Sequence, residues 1–546
     1  MSASAKKKLR KELESAKLEE KQLKEKKEAR KLKAGSTIFV VALAVILVAA
    51  IAIGVYSIVA NSGIIQKNTV AATVGDHNIS ALDASFYYSD TVTNTYNSWV
   101  NSYGDNIELY MMFMGLDLSK PLDQQTYPED ETMTWADYFV DAALTRAKSE
   151  YLLYDMAVAA GHKLTEDEQA ELDYAVDSLS LMAMYSGYPD EAAYLFACYG
   201  PGADMESYME YVNRNALATS YYNAHADSLS YTADDINAYQ TGKELDYSAF
   251  SYACYYVMCS DYMTGGTPGE NGTTVYSNEE KEAGRVAAEA IAKQLSANKT
   301  VEALDKAIAA LPINADNANA ASTHYENTLY TGISSTISGW LAEEGRVNGD
   351  TTVIPLESTT DGVTTVNGYY VVLFENRNDN NKGLANVRHL LVKFESESGK
   401  TTYTDAEKAA AKAEAEKILA EMQAAGTITD AAFAAKVTEL TDDTASAATG
   451  GLYENILPVQ GIYEENFTNW AIDPARKAGE TGLVETSYGW HIMYYVGDSE
   501  TSYREHLVLE DMKTDDMNKW YNSFMDAAKL EILDISALKT DLILAQ

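Results

Sequence analysis

Cysteine is almost missing: Cys198, Cys254 and Cys259 are the only three in 546 residues. A set so sparse and odd in number is no disulfide framework. Cys254 and Cys259 stand five apart, so on one strand they point to opposite faces and cannot bridge without a turn between them. None of the three stands just after the long apolar run at 38–60, which leaves no site for a lipid anchor there.

Positive charge is scarce in most of the chain. Residues 1–34 hold 13 basic and 6 acidic side chains, and the remainder holds 29 against 75, so a tail of +7 precedes a body of −46. Phosphate binding works by counterion release to Lys and Arg, and a body this acidic excludes nucleic acid as a partner. Charge of either sign is absent from Gly35 to Ile65. Within that stretch the apolar run Ile38–Ala60 spans about 34 Å as a helix. A cleaved signal peptide is the alternative, but its apolar region is usually shorter and ends in a small-residue cleavage site. We therefore expect a single membrane anchor. The basic flank, with Lys and Glu mixed at helical spacing, places the tail in the cytoplasm and the acidic bulk outside the cell membrane.

Most catalytic signatures are lacking too. The seven histidines, at 77, 162, 225, 324, 389, 491 and 506, show no metal-ligand spacing, and no G-x-S-x-G, P-loop or G-x-G-x-x-G follows a strand. No metal and no cofactor is expected.

Beyond the anchor, A-A-T-V-G-D at 71–76 reads as a short strand and a turn, and Ser80 with Asp83 as a capping-box start to a helix. Trp135–Ala160 carries apolar residues at helical spacing and ends at Gly161. Thr165-x-x-Glu168 and Thr232-x-x-Asp235 open further helices. Glu510–Leu533 reads as one amphipathic helix. The 39 tyrosines, with the methionines, form stripes that suit core packing or adaptable contact with unfolded chains.

Residues 247–378 and 386–497 repeat one another. Each begins with an apolar strand, S-Y-A-C-Y-Y-V-M or N-V-R-H-L-L-V-K. Each passes a capping box, Ser277-x-x-Glu280 or Thr404-x-x-Glu407, into an Ala/Glu/Lys-rich helix and a second short helix. Each closes on a strand after a glycine, N-G-Y-Y-V-V-L-F or Y-G-W-H-I-M-Y-Y. Aligned so, Cys254 takes the place of His389 and Tyr370 that of His491.

The order A-T-V-G-D-x-x-I-S-x-x-D, W-x-x-Y, T-x-x-E over 70–245 resembles the chaperone region of SurA-, PpiD- and PrsA-type foldases. The second repeat resembles a parvulin-type peptidyl-prolyl isomerase. R-H-L-L-V at 388–392, Phe433, T-D-D-T-A-S-A-A-T-G-G at 441–451, Phe467 and G-L-V-E-T-S-Y-G-W-H-I at 482–492 carry that likeness. With the charge and hydropathy pattern, the two likenesses imply an α+β multidomain chain: cytoplasmic tail 1–34, transmembrane helix 35–62, helical chaperone domain 70–245, degenerate parvulin-like domain 247–378, parvulin-like isomerase domain 386–497, and a C-terminal helix in 500–546 returning to the chaperone domain. The parvulin likeness also implies catalytic positions at His389, Asp443, Thr486 and His491, and substrate-binding positions at Leu452, Tyr453, Tyr463, Phe467 and Tyr488. G-G-L-Y-E at 450–454 and Tyr463 depart from the family's usual G-G-D-L-G and pocket methionine.

Prolyl isomerisation rotates an amide against a barrier of about 18–20 kcal/mol and breaks no bond. An apolar pocket and a few polar groups suffice, with no metal, cofactor or nucleophile. The expected partners are unfolded or partly folded exported proteins with X-Pro bonds. Two alternatives stand beside the enzyme: His389 and His491 as core residues bonded to each other or to Thr486, and the chain as a non-catalytic holdase whose repeats only bind peptide.

Overall fold

The computed structural model describes Val45 and residues 59–544, apart from 270–272, 318, 361, 396–401 and 460. The expected cytoplasmic tail lies outside the described residues, as does nearly all of the expected transmembrane helix at 35–62. Among the described residues no helix is long and apolar enough to cross a membrane. The chain divides into two compact units, one running to Leu229 and resuming at Met517, the other Ser230–Asp516. The division falls before 245 because helix Ala233–Gln240 lays Ile236 against Tyr247, Val508 and Met512 inside the second unit.

In the first unit a turn at Gly75, whose φ of 54° a side chain would strain, joins strands β1 (Val70–Val74) and β2 (His77–Ser80). Ser80 starts helix α1 (Ala81–Tyr103), its Oγ accepting the Asp83 N–H at 3.0 Å and donating to the Asp83 carboxylate at 2.8 Å. Thr134 and Asp137 form a reciprocal capping box for α2 (Trp135–Ala160), which stops at Gly161 with φ 66°. With α3 (Met205–Ser228) these elements close over Phe86, Tyr87, Trp135, Phe139, Leu144 and Tyr211. The C-terminal helix stops at Ala527 rather than running to Leu533, and Leu530–Ile532 is a strand antiparallel to β1, with Ala72 opposite Ile532. The cause is non-local: β1 has an edge whose backbone groups need partners, and this segment supplies them.

The second unit folds one pattern twice. The first copy runs β3 (Ala249–Met258), α4 (Asn278–Leu295), α5 (Val301–Ala309), β4 (Thr323–Leu329), α6 (Ser335–Leu341), β5 (Thr351–Thr360) and β6 (Val363–Asn378). The second runs β7 (Gly383–Lys393), α7 (Asp405–Ala424), α8 (Asp430–Leu440), β8 (Leu452–Ile456), α9 (Glu465–Ile472), β9 (Thr481–Glu485) and β10 (Gly489–Ser502). The sheets are antiparallel, in the orders β4-β3-β6-β5 and β8-β7-β10-β9. In each, two helices cover one face and the single short helix packs on the other. Ala288, Ala292, Leu304 and Ile308 of α4 and α5 meet Val371 and Leu373, as Ala415, Ile418, Phe433 and Val437 of α7 and α8 meet Leu390 and Ile492.

The correspondence extends to single residues. Cys254 lies opposite Val372 as His389 lies opposite Met493, and Tyr256 opposite Tyr370 as Leu391 opposite His491. The ladder therefore puts Cys254 and Tyr370 at the places of the two histidines, in agreement with the sequence alignment. Asn327 and Asn455 both have positive φ, 46° and 55°, and their N–H groups donate to Ser251 Oγ at 3.1 Å and Asn386 Oδ1 at 2.8 Å. Arg346 lies 3.6 Å over Trp340, and Arg476 4.4 Å over Trp470; each Nε donates to the carbonyl of its own tryptophan. Helix α10 (Tyr503–Ala527) begins in this unit, where Tyr231, Tyr239 and Tyr247 donate to Asp516, Asp515 and Asp511 at 3.4, 2.7 and 3.0 Å.

Candidate active site

Strand alternation decides what the second sheet presents to α9. Val387, His389 and Leu391 share one face of β7, and His491, Met493 and Tyr495 share the same face of β10. Because His491 pairs with Leu391 and His389 with Met493, the rings meet diagonally across the ladder, Nδ1 to Nδ1 at 2.9 Å. Both are buried, at 3% and 6% exposed.

Asp443 arrives from the loop after α8. That loop is stitched to the end of β7: Asp442 N–H donates to the Leu391 carbonyl at 2.9 Å, Leu391 N–H to Thr441 Oγ1 at 3.1 Å, and Lys393 N–H to the Asp442 carboxylate at 2.9 Å. Asp443 Oδ2 thereby sits 3.1 Å from His389 Nε2. Further on, Gly450 and Gly451 turn with φ 65° and 69°, and the Gly451 carbonyl accepts the His389 N–H at 3.0 Å. At the far end of the pair, Thr486 Oγ1 lies 2.9 Å from His491 Nε2.

Burial pushes His491 down to about 3, with His389 beside it adding to the effect; burial also lowers His389, against the opposing pull of Asp443. Burial works to raise Asp443, but the Ser446 hydroxyl, His389 and two backbone N–H groups outweigh it and hold the carboxyl below its usual range. With both rings neutral and Asp443 ionised, one proton arrangement satisfies every contact. His389 Nε2–H donates to Asp443, His491 Nδ1–H donates to His389 Nδ1, and Thr486 O–H donates to His491 Nε2. Each ring's single proton is then committed within the chain. No ring is left to act as a base, and the four groups form a hydrogen-bonded floor.

Aromatic rings stand above this floor. Tyr453 and Phe467 meet His389 edge-on at centroid distances of 5.0 and 5.5 Å, and Phe467 lies 5.6 Å from His491. Tyr463 packs 5.7 Å from Tyr453 and 5.8 Å from Phe467. The cavity they enclose is about 580 Å³, with Lys393, Ile462 and an exposed Tyr488 at its edge. Glu464 ties the two sides of its mouth by accepting Ser487 N–H at 3.2 Å and Ser487 O–H at 2.8 Å.

His389, Asp443, His491, Tyr453, Tyr463, Phe467 and Tyr488 thus line one cavity, and Thr486 joins it through His491. Leu452 does not line it: alternation along β8 turns Leu452 to the face opposite Tyr453, where its partner across the ladder is Arg388. Two contributors were not singled out from the sequence. Ser446, buried at 6%, donates to Asp443 and lies 3.3 Å from His389 Nε2. Arg388 holds the glycine turn, its Nη1 donating to the Thr449 and Gly450 carbonyls at 2.7 and 3.0 Å and its Nε to Asp430 at 2.6 Å. The arginine was visible in R-H-L-L-V; its task depends on how a loop about sixty residues later folds back.

An open-mouthed aromatic box over a buried chain of two neutral imidazoles, a hydroxyl and one carboxylate is a site for holding and desolvating a ligand. Residues 369–498 match the family model described as a PPIC-type PPIASE domain, and the chain carries a parvulin-type domain there. The match starts inside β6, the last strand of the first copy. No curated protein matches the chain in sequence. Among solved structures, the peptidylprolyl isomerase PrsA of Bacillus anthracis is similar at 15% identity over 27% of this chain, with a TM-score of 0.17, and this chain spans 59% of that protein's length. PrsA of Bacillus subtilis is similar at 13% identity, over 77% of this chain and 98% of that one, with a TM-score of 0.23. A structure from work on two SurA-like chaperones of Campylobacter jejuni is similar at 13% identity, over 39% and 71%, with a TM-score of 0.15.

Proposed function

We propose that this chain is a membrane-anchored foldase that accelerates X-Pro isomerisation in partly folded exported proteins and holds those proteins while they fold. The observation that carries the reading is the buried Asp443–His389–His491–Thr486 chain beneath the Tyr453–Tyr463–Phe467 box, within the stretch that matches a PPIC-type domain. The aromatic box receives the pyrrolidine ring and strips water from the imide. The planar imide, with its larger dipole, loses more from that desolvation than the twisted one, which lowers the barrier to rotation. The floor keeps His389 and His491 neutral, so its one charge is the Asp443 carboxylate, held by His389 and Ser446.

A protease-coupled assay with a proline peptide and the full chain tests this. We expect a rate above the uncatalysed one, reduced at least about tenfold by Phe467→Ala, or ~1.4 kcal/mol of barrier. No acceleration by a folded chain would refute the catalytic reading.

The uncharged run Ile38–Ala60 supports a single span with the acidic body outside the cytoplasm. Protease added to intact cells should then digest the body and spare the tail; a protected body would overturn that orientation. The first copy serves as scaffold in this reading: Tyr325 stacks on Tyr252 at 4.7 Å and Tyr370 packs 5.0 Å from Tyr256 on the sheet that would otherwise hold a site.

A further inference from the structure

One short helix of the first unit breaks the usual pattern of a surface element. In Leu179–Tyr185, L-S-L-M-A-M-Y, only Ser180 is polar, and its hydroxyl is taken by the Glu191 carboxylate. Leu179 and Ala183, four apart, face inward and are buried at 3% and 1% exposed. The remaining positions, which normally carry charge, instead expose Leu181 at 51%, Met182 at 50%, Met184 at 61% and Tyr185 at 80%. Tyr174 on the preceding helix, Glu166–Asp177, extends the patch at 76% exposed. Contiguous apolar exposure of this kind marks a contact surface, and methionine makes it tolerant of differently shaped partners.

Charge identifies the partner. Residues 164–196 contain eight acidic side chains and no Lys, Arg or His. Glu166, Asp167, Glu168, Glu171, Asp173 and Asp177 lie on one helix, directly before the apolar one. A second acidic surface is repelled here, and a purely apolar segment leaves the carboxylates unanswered. We infer that this patch captures polypeptide segments in which Lys or Arg alternates with large apolar residues. It does so without needing proline, so the first unit selects clients by charge and apolarity. The inference rests on the holding part of the proposed function and names its surface.

The test uses the full chain in lipid nanodiscs and two fluorescent proline-free peptides, one alternating Lys with Leu and Phe, the other with Glu in place of Lys. We expect the cationic peptide to bind at least about tenfold more tightly, with affinity falling as salt screens the carboxylates. Leu181→Ser/Met184→Ser/Tyr185→Ser should weaken it at least about tenfold and leave the proline-peptide rate unchanged. Asp173→Asn/Asp177→Asn should reduce the salt-dependent part and leave the apolar part in place. Undiminished binding in the triple variant, equal binding of the two peptides, or conversion of a dimer to a monomer by the triple variant would overturn the inference. Were the wild-type chain to bind neither peptide and fail to suppress aggregation of an unfolded protein, the holding function itself would fall. Aggregation suppression that survives the triple variant keeps the function and rejects this surface.

Discussion

At the scale of single residues, Asp443 separates two ways the floor can work. If its task is to accept the His389 Nε2 proton, an amide oxygen serves nearly as well as a carboxylate, and Asp443→Asn should keep kcat/KM within about tenfold of wild type. Asp443→Ala strands a buried N–H, which costs about 1–3 kcal/mol, so we expect a loss of roughly 10- to 100-fold. Equal losses in the two variants would show that the negative charge itself is used. The histidines make a second prediction, on pH. Burial lowers both, His491 to about 3. An unfolded histidine takes up its proton near pH 6.5, so the unfolded chain binds more protons than the folded one below that value. Stability should therefore decline as pH falls from about 6.5 toward 3. Asp443, also held low, loses its own contribution in the acid part of that range. His491→Leu should flatten the decline in thermal unfolding followed across pH. The isomerase rate, by contrast, should show its inflection below pH 6.5, because burial lowers both rings from that value.

At the scale of elements, the glycine turn before β8 is the tightest constraint on the site. A Cβ on Gly451 would stand 2.1 Å from the His389 carbonyl oxygen, and its φ of 69° is already unfavourable for a side chain. Gly451→Ala must push the loop off β7 and carry Asp443 away from His389. We expect a cost above about 1 kcal/mol and loss of isomerisation, read by thermal melting and the proline-peptide assay. The elements also show where sequence suffices. The capping boxes at Thr165, Thr232, Ser277 and Thr404 were legible because each is a contact within four residues. The repeat was legible because alternation and helical spacing recur in both copies, and the ladder gives the same pairing of Cys254 with His389. Leu452 was misplaced because a strand of five residues gives no sign of which face meets the site until its partner is known. The strand Leu530–Ile532 was read as helix because nothing local opposes helix there; the edge of β1 decides it, some 460 residues earlier in the chain. Ser446 lies in a polar loop where any hydroxyl looks alike until Asp443 is placed beside it.

At the scale of the whole molecule, the second unit is inserted in the first: the chain leaves the first unit after Leu229 and re-enters it at Met517. The first unit therefore depends on residues that follow the second unit in the chain. Leu538 is buried in its core at 8% exposed, and Leu530, Ile535, Ala537, Leu542 and Leu544 pack against that core. The Leu542 carbonyl accepts the Leu122 N–H at 3.0 Å, and Leu533 N–H donates to the Ala71 carbonyl at 2.8 Å. A chain ending at Ala527 loses all of these and leaves one edge of β1 bare. Burying a single leucine is worth about 1.5–3 kcal/mol, and each kcal/mol moves the melting point of a unit this size by about 2–4 °C. We expect calorimetry of the full chain to resolve two transitions, and the truncation to lower one of them by more than about 5 °C while leaving the other and the isomerase rate in place. The asymmetry follows from where the contacts lie: the truncated residues pair with β1 and the first unit's core, whereas His389, Asp443 and His491 are held by β7, β10 and the loop after α8. A truncation that moved both transitions equally would mean that the two units fold as one cooperative body, and selection of clients by the first unit could then not be separated from isomerisation in the second.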